Sequence, residues 1–558
     1  MDITIAADHK VDPLHRELDR VLTDAAPFGP LASEALFDAW PASAEQLFDR
    51  SNLICAQAAH SPPAYIIGRK GAGKTAFLLG STVGARLPTE ALQTSTVYSE
   101  MVTVIRRHGE VRGPLFVDQA AEIWQALFEH VALLHACRTA QSSDSPAELQ
   151  VLWDYLDRPN GHPKNATVAA ELFLSDLHRR IGDLGASAGL REVIEDLTHG
   201  GVRFGAARAA LRVVLSRRPK PLVIVMDNLE DLQSRLHEVS EALAGLFKCV
   251  GMISAEPAAN PFRLQICLPS ELFDQISDIS ANPEKDFRDG YLIIHWTASE
   301  LLKLAGTRLR LYLSSHYPET YEAVERRARR IDEPQPDVAL LRAMLPARIH
   351  NGLGIAEDPV AYLLRHTQLL PRHLIAILNR VFTMPDSDLG KGTIGADAVT
   401  AGTRAAERLL VNGIFAAFKG TYPAASNALS CLSDRLDICF PASQLHVVYN
   451  QQGIRKRTHL EFDEFLSMLF TIGAVGIRLD QTERYHKAHF QYTFDTPLRA
   501  AEDQDWLCFH PLFTRYLHER SLRRLRRAGS LVTYPYGSDP ADLDYRISLG
   551  YTRRTKRG

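Results

Sequence analysis

The chain lacks the features that mark secreted, zinc-binding and membrane-spanning proteins. Its seven cysteines are odd in number and scattered, with no C-x-x-C pair, which argues against a disulfide framework and a zinc site. No stretch reaches about eighteen consecutive apolar residues, and the N-terminus has no charged segment followed by an apolar run. We therefore expect a cytoplasmic protein without membrane contact. The cysteines are Cys55, Cys137, Cys249, Cys267, Cys431, Cys439 and Cys508.

The chain also lacks a strong net charge. With 63 basic and 66 acidic side chains, its formal charge is −3, which gives no overall attraction to nucleic acid or to a membrane surface. Any basic surface must therefore be local. At 558 residues the chain is too long for one hydrophobic core, and we expect about two to four domains.

One octet of the sequence carries a specific motif. Gly68–Thr75 fits G-x-x-x-x-G-K-[ST] without a mismatch, behind the apolar run Tyr65–Ile67 and ahead of Ala76–Leu79, which can open a helix. Its glycines let successive N–H groups converge on one anion, and the helix N-terminus adds partial positive charge. The octet therefore predicts an ATP-binding phosphate loop. Its residues are Gly68, Arg69, Lys70, Gly71, Ala72, Gly73, Lys74 and Thr75.

Two side chains of this loop and one acid further along have expected roles in nucleotide binding. Lys74, which we expect to face solvent in the free protein, would reach the β and γ phosphates, and the Thr75 hydroxyl would hold Mg²⁺. The unbroken apolar run Pro221–Met226 ends in Asp227, as in a strand buried on both faces of a parallel sheet. We therefore expect Asp227 to join Thr75 in the Mg²⁺ shell.

The remaining patterns predict an α/β fold: a P-loop NTPase parallel sheet with a large helical insertion, followed by a helical lid and a C-terminal winged-helix domain. Ser95–Glu100, Leu264–Leu268 and Tyr291–Ile294 would complete the five strands of the sheet. The expected boundaries are residues 1–60 for a helical lead-in, 61–298 for the core with its insertion at about 105–217, 299–400 for the lid, 401–520 for the winged helix and 521–558 for a basic tail.

The predicted winged helix consists of three helices and a hairpin. The helices are Thr403–Phe418, Ser443–Asn450 and Thr458–Ile472, and the strands are Val475–Leu479 and His489–Phe494. Thr458 and Glu461 have the spacing of a capping box at the start of the third helix. Acids in the first turns of that helix would repel a phosphate backbone, so we expect no sequence-specific duplex recognition and at most weak nucleic-acid binding through the arginine-rich tail.

These motifs together resemble the ASCE branch of P-loop ATPases, in its AAA+/STAND neighbourhood. More narrowly, the chain is similar to poorly characterised bacterial P-loop ATPases with an FG-x-x-x-x-E lead-in, a G-R-K-G-[SA]-G-K-[ST] loop and a tryptophan after the last sheet strand. Here these features are Phe28-Gly29 with Glu34, Gly68–Thr75 and Trp296. The resemblance covers roughly residues 28–400 and implies sensor roles for Ser270 after the fourth strand and for Arg372 in the lid. The winged helix after the lid resembles origin-recognition and STAND ATPases.

One departure from this resemblance concerns catalysis. Asp227 is followed by Asn228, where AAA+ proteins usually carry the acid that activates water, and an amide cannot take a proton. Glu230 is the candidate general base, and the alternative is that it only caps the following helix. Arg308 and Arg310 could act as an arginine finger for a neighbouring subunit. A position on a solvated helix face is the better interpretation of both residues.

Three functions fit these features. The first is an ATP-binding and ATP-hydrolysing molecular switch, of the kind found in bacterial signalling or defence, whose nucleotide state repositions the winged helix. Its partners would be further copies of the chain, as a homo-oligomer, or an effector protein. The second function is an ATP-dependent DNA loader or remodeller, and the third is a scaffold that binds nucleotide without hydrolysing it. A small-molecule kinase has no use for the lid and the winged helix.

Overall fold

The computed structural model describes residues 21–31, 47, 63–85, 87–142, 144–157, 163, 165–184, 186–227, 229, 235–255, 260–280, 283–286, 291–491, 502 and 504–544. The chain divides into two compact units. The core unit comprises residues 53–70, 74–294 and 555–558, and the C-terminal unit comprises residues 1–52, 71–73 and 295–554. The helices predicted for the lead-in lie almost wholly outside the described residues. None of the described helices has the length and apolar composition that a membrane span requires.

The core unit is built from a central sheet and surrounding helices. Its strands are β1 (Tyr65–Gly68), β2 (Thr89–Gln93), β3 (Thr198–His199), β4 (Val202–Arg203), β5 (Leu222–Asp227), β6 (Phe262–Pro269) and β7 (Tyr291–Ile293). Its α-helices are α1 (Lys74–Ala85), α2 (Thr94–Arg112), α3 (Val117–Arg138), α4 (Pro146–Leu156), α5 (Ala166–Asp183), α6 (Leu190–Glu195), α7 (Phe204–Ser216), α8 (Leu236–Ala255), α9 (Phe273–Ile279) and α10 (Pro283–Asp286). A 3₁₀ turn spans Ser270–Leu272.

Five of these strands form a parallel sheet in the order β2-β5-β6-β1-β7. All residues of β5 are buried except its last, Asp227, which is half-buried, as expected for a strand covered on both faces. Because β6 lies between β1 and β5, the ends of these three strands meet at one carboxyl edge of the sheet. The predicted five-stranded sheet is therefore confirmed, except for the position of its second strand.

The prediction of a strand at Ser95–Glu100 is wrong. That segment lies in α2. The strand that pairs with β5 is β2, which lies a few residues before the predicted segment. In α2 the side chains of Tyr98, Met101 and Ile105 are buried at spacings of three and four residues. This helical periodicity outweighs the strand preference of the β-branched residues at the start of the segment.

The helical insertion lies between β2 and β5 and is centred on α3. Trp124 of α3 is fully buried, its ring stacks on that of Phe128 with centroids 5.6 Å apart, and its indole N–H donates to the carbonyl of Ala242 at 2.8 Å. These contacts satisfy the polar edge of the indole while its rings fill the interior. The aromatic residues of the insertion therefore pack its core.

The C-terminal unit contains many helices and several small sheets. Its strands are β8 (Ile349–His350), β9 (Ala356–Glu357), β10 (Ser387–Asp388), β11 (Thr393–Ile394), β12 (Cys439–Pro441), β13 (Val475–Gln481), β14 (Tyr485–His489), β15 (Trp506–Phe509) and β16 (Val532–Pro535). Its α-helices are α11 (Ala298–His316), α12 (Pro318–Ala328), α13 (Pro336–Met344), α14 (Pro359–Arg365), α15 (Pro371–Phe382), α16 (Ala396–Ala417), α17 (Ala425–Ser430), α18 (Ala442–Gln451), α19 (Ile454–Thr458), α20 (Phe462–Thr471), α21 (Thr514–His518), α22 (Leu522–Arg527) and α23 (Pro540–Asp544).

The largest sheet of this unit has five strands in the order β12-β15-β13-β14-β16. Its pairings are antiparallel except for that of β14 with β16. The predicted hairpin is present, but its second strand is β14, which ends at His489, whereas the sequence predicted His489–Phe494. The strand starts early because the Thr482 hydroxyl accepts the N–H of Tyr485 at 3.0 Å and closes a short turn directly after β13.

The third helix of the predicted winged helix, Thr458–Ile472, is interrupted. α19 ends at Thr458, the φ angle of His459 is 60°, and α20 begins at Phe462. The capping box predicted at Thr458 is therefore wrong. The Glu464 carboxylate instead accepts the backbone N–H of Glu461 at 2.9 Å, so the capping interaction lies at the start of α20.

Part of the segment predicted as a basic tail is folded. It contains α22 and β16, and β16 pairs in parallel with β14. Leu525 of α22 and Tyr534 of β16 are buried. The arginines of α22 are exposed, so they are displayed on an ordered helix.

Candidate phosphate-binding site

The loop between β1 and α1 has the order of strand, turn and helix that its motif predicts. β1 ends at Gly68 and α1 begins at Lys74. Gly71 and Gly73 both have a φ of 91°, a left-handed conformation that residues with a Cβ resist. The two glycines therefore give the loop a curvature at which backbone N–H groups can converge on an anion.

Lys74 is buried in this structure. Its side-chain ammonium donates to the carbonyl oxygens of Gly68 at 3.0 Å and Arg69 at 3.4 Å, and only 6% of the residue is exposed. The prediction that it faces solvent is wrong, because the carbonyls of the loop itself bind the ammonium. The positive charge is thus held inside the curve of the loop.

Thr75 and Asp227 are brought together across the sheet edge, as the sequence predicts. The Thr75 hydroxyl at the start of α1 donates to the Asp227 carboxylate at the end of β5. The hydroxyl of Thr94, at the start of α2, donates to the Asp227 backbone carbonyl. Asp227 is therefore fixed both through its main chain and through its carboxylate.

This pair fits a Mg²⁺ ion. Among the described residues no group of three or more His, Cys, Asp or Glu side chains could hold a metal. Mg²⁺ does not need such a group, because it keeps several waters and takes one or two protein oxygens together with phosphate oxygens. The hydroxyl of Thr75 and the carboxylate of Asp227 are oxygen ligands of that kind.

The turn after β6 also contacts the loop. Ser270, to which the resemblance assigns a sensor role, directly follows β6, and its hydroxyl lies 3.5 Å from the carboxylate of Glu271. The other oxygen of Glu271 accepts the backbone N–H of Lys70 at 2.7 Å. Sequence reasoning overlooked Glu271, although an acid just after a buried strand beside the loop strand is a signal for such a position.

The middle of the loop, Gly71–Gly73, belongs to the C-terminal unit and contacts two of its residues. The Trp296 indole N–H donates to the carbonyl of Ala72 at 2.7 Å, and the backbone N–H of Arg372 donates to the carbonyl of Gly71 at 3.4 Å. A Cβ added to Gly71 would lie 3.0 Å from the Cβ of Arg372. Two residues singled out by the resemblance therefore contact the loop.

The lead-in residues Phe28 and Gly29 are fixed within the C-terminal unit. The side-chain amide of Asn379 accepts the N–H of Phe28 and donates to the carbonyl of Gly29, both at 2.9 Å. The Phe28 ring is fully buried and meets the ring of Phe382 edge to face at 4.8 Å. Asn379 was not identified from the sequence, because a single amide in an apolar helix carries no motif.

Arg308 also binds this lead-in, which corrects its interpretation as part of a solvated helix face. It is buried, and its guanidinium donates to the carbonyl of Phe28 at 2.6 Å. Burial lowers the pKa of Arg308 to about 10 because the charged form is desolvated. Arg310 is half-exposed and pairs with Asp337 at 2.8 Å. Arg308 therefore has a structural role within its own unit.

Glu34 of the lead-in, Asn228 and the candidate base Glu230 lie outside the described residues. The catalytic role of Glu230 stays a prediction.

Comparison with known proteins gives distant structural likenesses. No model of a known protein family and no curated protein matches the chain. A Walker-type ATPase of Pyrococcus abyssi has a TM-score of 0.34 and 13% identity, covering 84% of this chain and 95% of that one. The ORC2 protein of Aeropyrum pernix has a TM-score of 0.39 and 11% identity, covering 87% of this chain and 98% of that one. The ORC1 protein of Aeropyrum pernix, in complex with DNA, has a TM-score of 0.32 and 12% identity, covering 88% of this chain and 96% of that one. At these values the likenesses carry no argument about this chain.

Proposed function

We propose that the chain is a P-loop ATPase that binds ATP with Mg²⁺ and works as a molecular switch. The observation that supports this best is the hydrogen bond from the Thr75 hydroxyl to the Asp227 carboxylate. It joins the residue after the invariant lysine of the motif to the last residue of β5, so two oxygen ligands meet beside the N–H groups of the loop. A glycine turn with a purely structural role has no need of this pairing.

Each group of the site would act through its charge and its position. The N–H groups of Gly71–Gly73 and the ammonium of Lys74 make the loop attractive to phosphate oxygens. Thr75 and Asp227 would hold Mg²⁺, which neutralises phosphate charge when it is bound. The resemblance assigns Arg372 to the terminal phosphate, where its guanidinium would stabilise negative charge, and this role stays a prediction.

Two acids are candidates for the group that orients the attacking water and takes its proton. Glu230 follows Asp227 by three residues, and Glu271 accepts a backbone N–H of the loop. A glutamine keeps the shape of either side chain but cannot accept the proton. The single substitutions Glu230→Gln and Glu271→Gln are therefore compared in binding and turnover assays. The base is the residue whose substitution preserves ATP binding and abolishes hydrolysis.

The start of α20 favours a switch over a DNA loader. In a winged helix that reads DNA, the corresponding helix enters the major groove. Here Asp463 and Glu464 are exposed in its first turn and would repel the phosphate backbone. We therefore assign this domain a contact with protein, either a second copy of the chain or an effector in signalling or defence. The exposed arginines of α22 would add at most weak contacts to phosphates.

A turnover assay tests the proposed activity. We expect slow, Mg²⁺-dependent ATP hydrolysis by the wild type, because Asn228 replaces the usual acid, and loss of binding or turnover in Lys74→Ala. Lys70→Ala is the matched control, since it changes a lysine of the same loop but keeps the backbone N–H. Wild-type affinity and turnover in Lys74→Ala would contradict the loop assignment. Binding without turnover in the wild type would instead identify a nucleotide-binding scaffold.

The same assay, run with and without duplex DNA and beside mass photometry with and without ATP, tests the switch. We expect an ATP-dependent change in assembly mass and no stimulation of turnover by DNA. Strong stimulation by DNA at about 0.2 M salt, where weak phosphate contacts are screened, would favour the loader.

A further inference from the structure

Cys439 and Cys508 face each other across two strands of the C-terminal sheet. They are register partners in the antiparallel pair formed by β12 and β15. The backbone N–H of Phe509 donates to the carbonyl of Ile438 at 2.9 Å, so the neighbouring residue pair is a hydrogen-bonded one. Because hydrogen-bonded and non-hydrogen-bonded pairs alternate along an antiparallel ladder, the two cysteines occupy a non-hydrogen-bonded pair, where side chains approach most closely.

The two thiols are in contact but differ in access to solvent. Their sulfur atoms are 2.9 Å apart, and such opposed positions have Cα separations of about 4.5 Å, within the range that a disulfide spans. Cys508 is fully buried, whereas Cys439 is partly exposed. A reagent in solution therefore meets Cys439 first, with Cys508 directly behind it.

The surroundings make Cys439 the more reactive thiol. The hydrogen bond from the Cys508 thiol and the nearby guanidinium of Arg478 hold the pKa of Cys439 below its ordinary value. Burial raises the pKa of Cys508. Arg478 is held in place over the ring of Trp506, with 4.5 Å between the guanidinium carbon and the ring centroid. A thiolate beside a fixed positive charge is the usual setting of a reactive cysteine.

We propose that Cys439 and Cys508 are a reversible disulfide site that is oxidised by small-molecule disulfides such as glutathione disulfide. The Cys439 thiolate attacks one sulfur of the small disulfide, which forms a mixed disulfide and releases one small thiolate. Cys508 gives its proton to a small thiolate and attacks the sulfur of Cys439, which releases the second small thiolate. Two protein thiols are oxidised, one small disulfide is reduced, and the two small thiolates take up the two protons.

The disulfide would act on a defined part of the fold. β12 is an edge strand of its sheet, and α18 begins at Ala442, directly after it. A covalent link from β12 to β15 would fix this edge and the start of α18 to the inner strands. It would also close a chain segment of 68 residues, from 440 to 507, which restricts the unfolded state. The oxidised protein should therefore unfold at a higher temperature than the reduced protein.

Peptide mapping of the full chain tests this site. The protein is incubated with glutathione disulfide, quenched with acid, alkylated and digested with trypsin, which places Cys439 in residues 436–455 and Cys508 in residues 500–515, each with a single cysteine. We expect these two peptides to be disulfide-linked in wild-type monomer, and free after treatment with dithiothreitol. Cys439→Ser should abolish the linked pair, while Cys431→Ser, a buried cysteine elsewhere in the unit, should retain it.

Three outcomes would overturn the proposal. The first is separate alkylation of both cysteines in the native, glutathione-treated wild type. The second is a stable glutathione adduct on Cys439 that Cys508 does not resolve. The third is a linked pair that forms only under unfolding conditions or only between chains. The measurement on the wild type needs no variant, so a folding defect in Cys439→Ser would leave the result decisive.

Discussion

The two five-stranded sheets of this chain differ in the polar groups that are buried beside them. In the parallel sheet, β5 is an almost wholly apolar strand covered on both faces, so burial of apolar surface is its main source of stability. In the C-terminal sheet, the Tyr534 hydroxyl of β16 donates to the carboxylate of Glu357, which receives two hydrogen bonds from Arg365, both at 2.9 Å. The outer strand β16 of the second sheet therefore contacts a buried ion pair, which remains favourable only while every partner is present.

The largest effect should follow from breaking that buried pair. In Arg365→Met the carboxylate of Glu357 stays buried without its guanidinium, and we expect a loss of about 3–5 kcal/mol in the stability of the C-terminal unit. Hydrogen exchange measured by mass spectrometry over β14 and β16 reports this loss locally. The matched control is Arg310→Met, whose half-exposed pair with Asp337 should contribute less than about 1 kcal/mol. Equal effects of the two substitutions would remove the contrast between the sheets.

A pH-dependent effect should come from Glu407 on α16, near the same buried charges. Burial raises the pKa of Glu407 to about 7, although Arg365, Arg404 and Arg515 act in the opposite direction. The folded state thus binds this proton more tightly than the unfolded state, and its contribution to stability is lost as the pH rises from about 4.5 to 7.

Glu407→Gln removes this titration. Relative to the wild type, the variant should gain up to about 3 kcal/mol in unfolding free energy between pH 4 and pH 8, from the size of the pKa shift. Burial lowers the pKa of the neighbouring His366, which contributes a slope of opposite sign. Because its Nε2 lies 3.6 Å from a carboxylate oxygen of Glu407, the difference between the two proteins reports this coupled pair. Urea unfolding at several pH values measures this difference. Parallel pH profiles for the two proteins would contradict it.

The smallest effect should follow from a conservative truncation in the parallel sheet. Ile224→Val removes one methylene from the fully buried centre of β5 and should cost about 1 kcal/mol, independent of pH. Exchange of amides in the core unit should quicken while that in β14 and β16 stays unchanged. A change of several kcal/mol, or one that varies with pH, would show that the parallel sheet is not stabilised mainly by apolar packing.

Apolar runs and specific motifs decide which parts of the fold the sequence predicts. The strand β5 is evident because its apolar run is unbroken and ends in Asp227, and the loop is evident because its octet is specific. β2 was missed because it is a half-exposed edge strand, Thr-Glu-Ala-Leu-Gln, with no apolar run. β16 was missed because its partner β14 lies more than forty residues earlier, and a parallel pairing over that distance has no local signal.

Within the candidate site, the sequence identified the residues better than their contacts. The meeting of Thr75 with Asp227 follows from the order of strand, loop and strand, and the structure contains it. The burial of Lys74 depends on backbone carbonyls of the loop, which no residue pattern displays. The contact of Glu271 with the loop depends on the position of β6 beside β1 in the sheet. This strand order must be known before the contact can be predicted.

Thermal unfolding with added nucleotide tests the central claim most directly. A ligand that binds the folded state at about 100 times its Kd stabilises it by about 2.7 kcal/mol. We therefore expect saturating ATP with Mg²⁺ to raise the Tm of the core unit in the wild type and in Lys70→Ala, with no rise in Lys74→Ala. In Asp227→Asn the rise should lose its dependence on Mg²⁺. No rise in the wild type, or an equal rise in Lys74→Ala, would contradict the assignment of this loop as an ATP site.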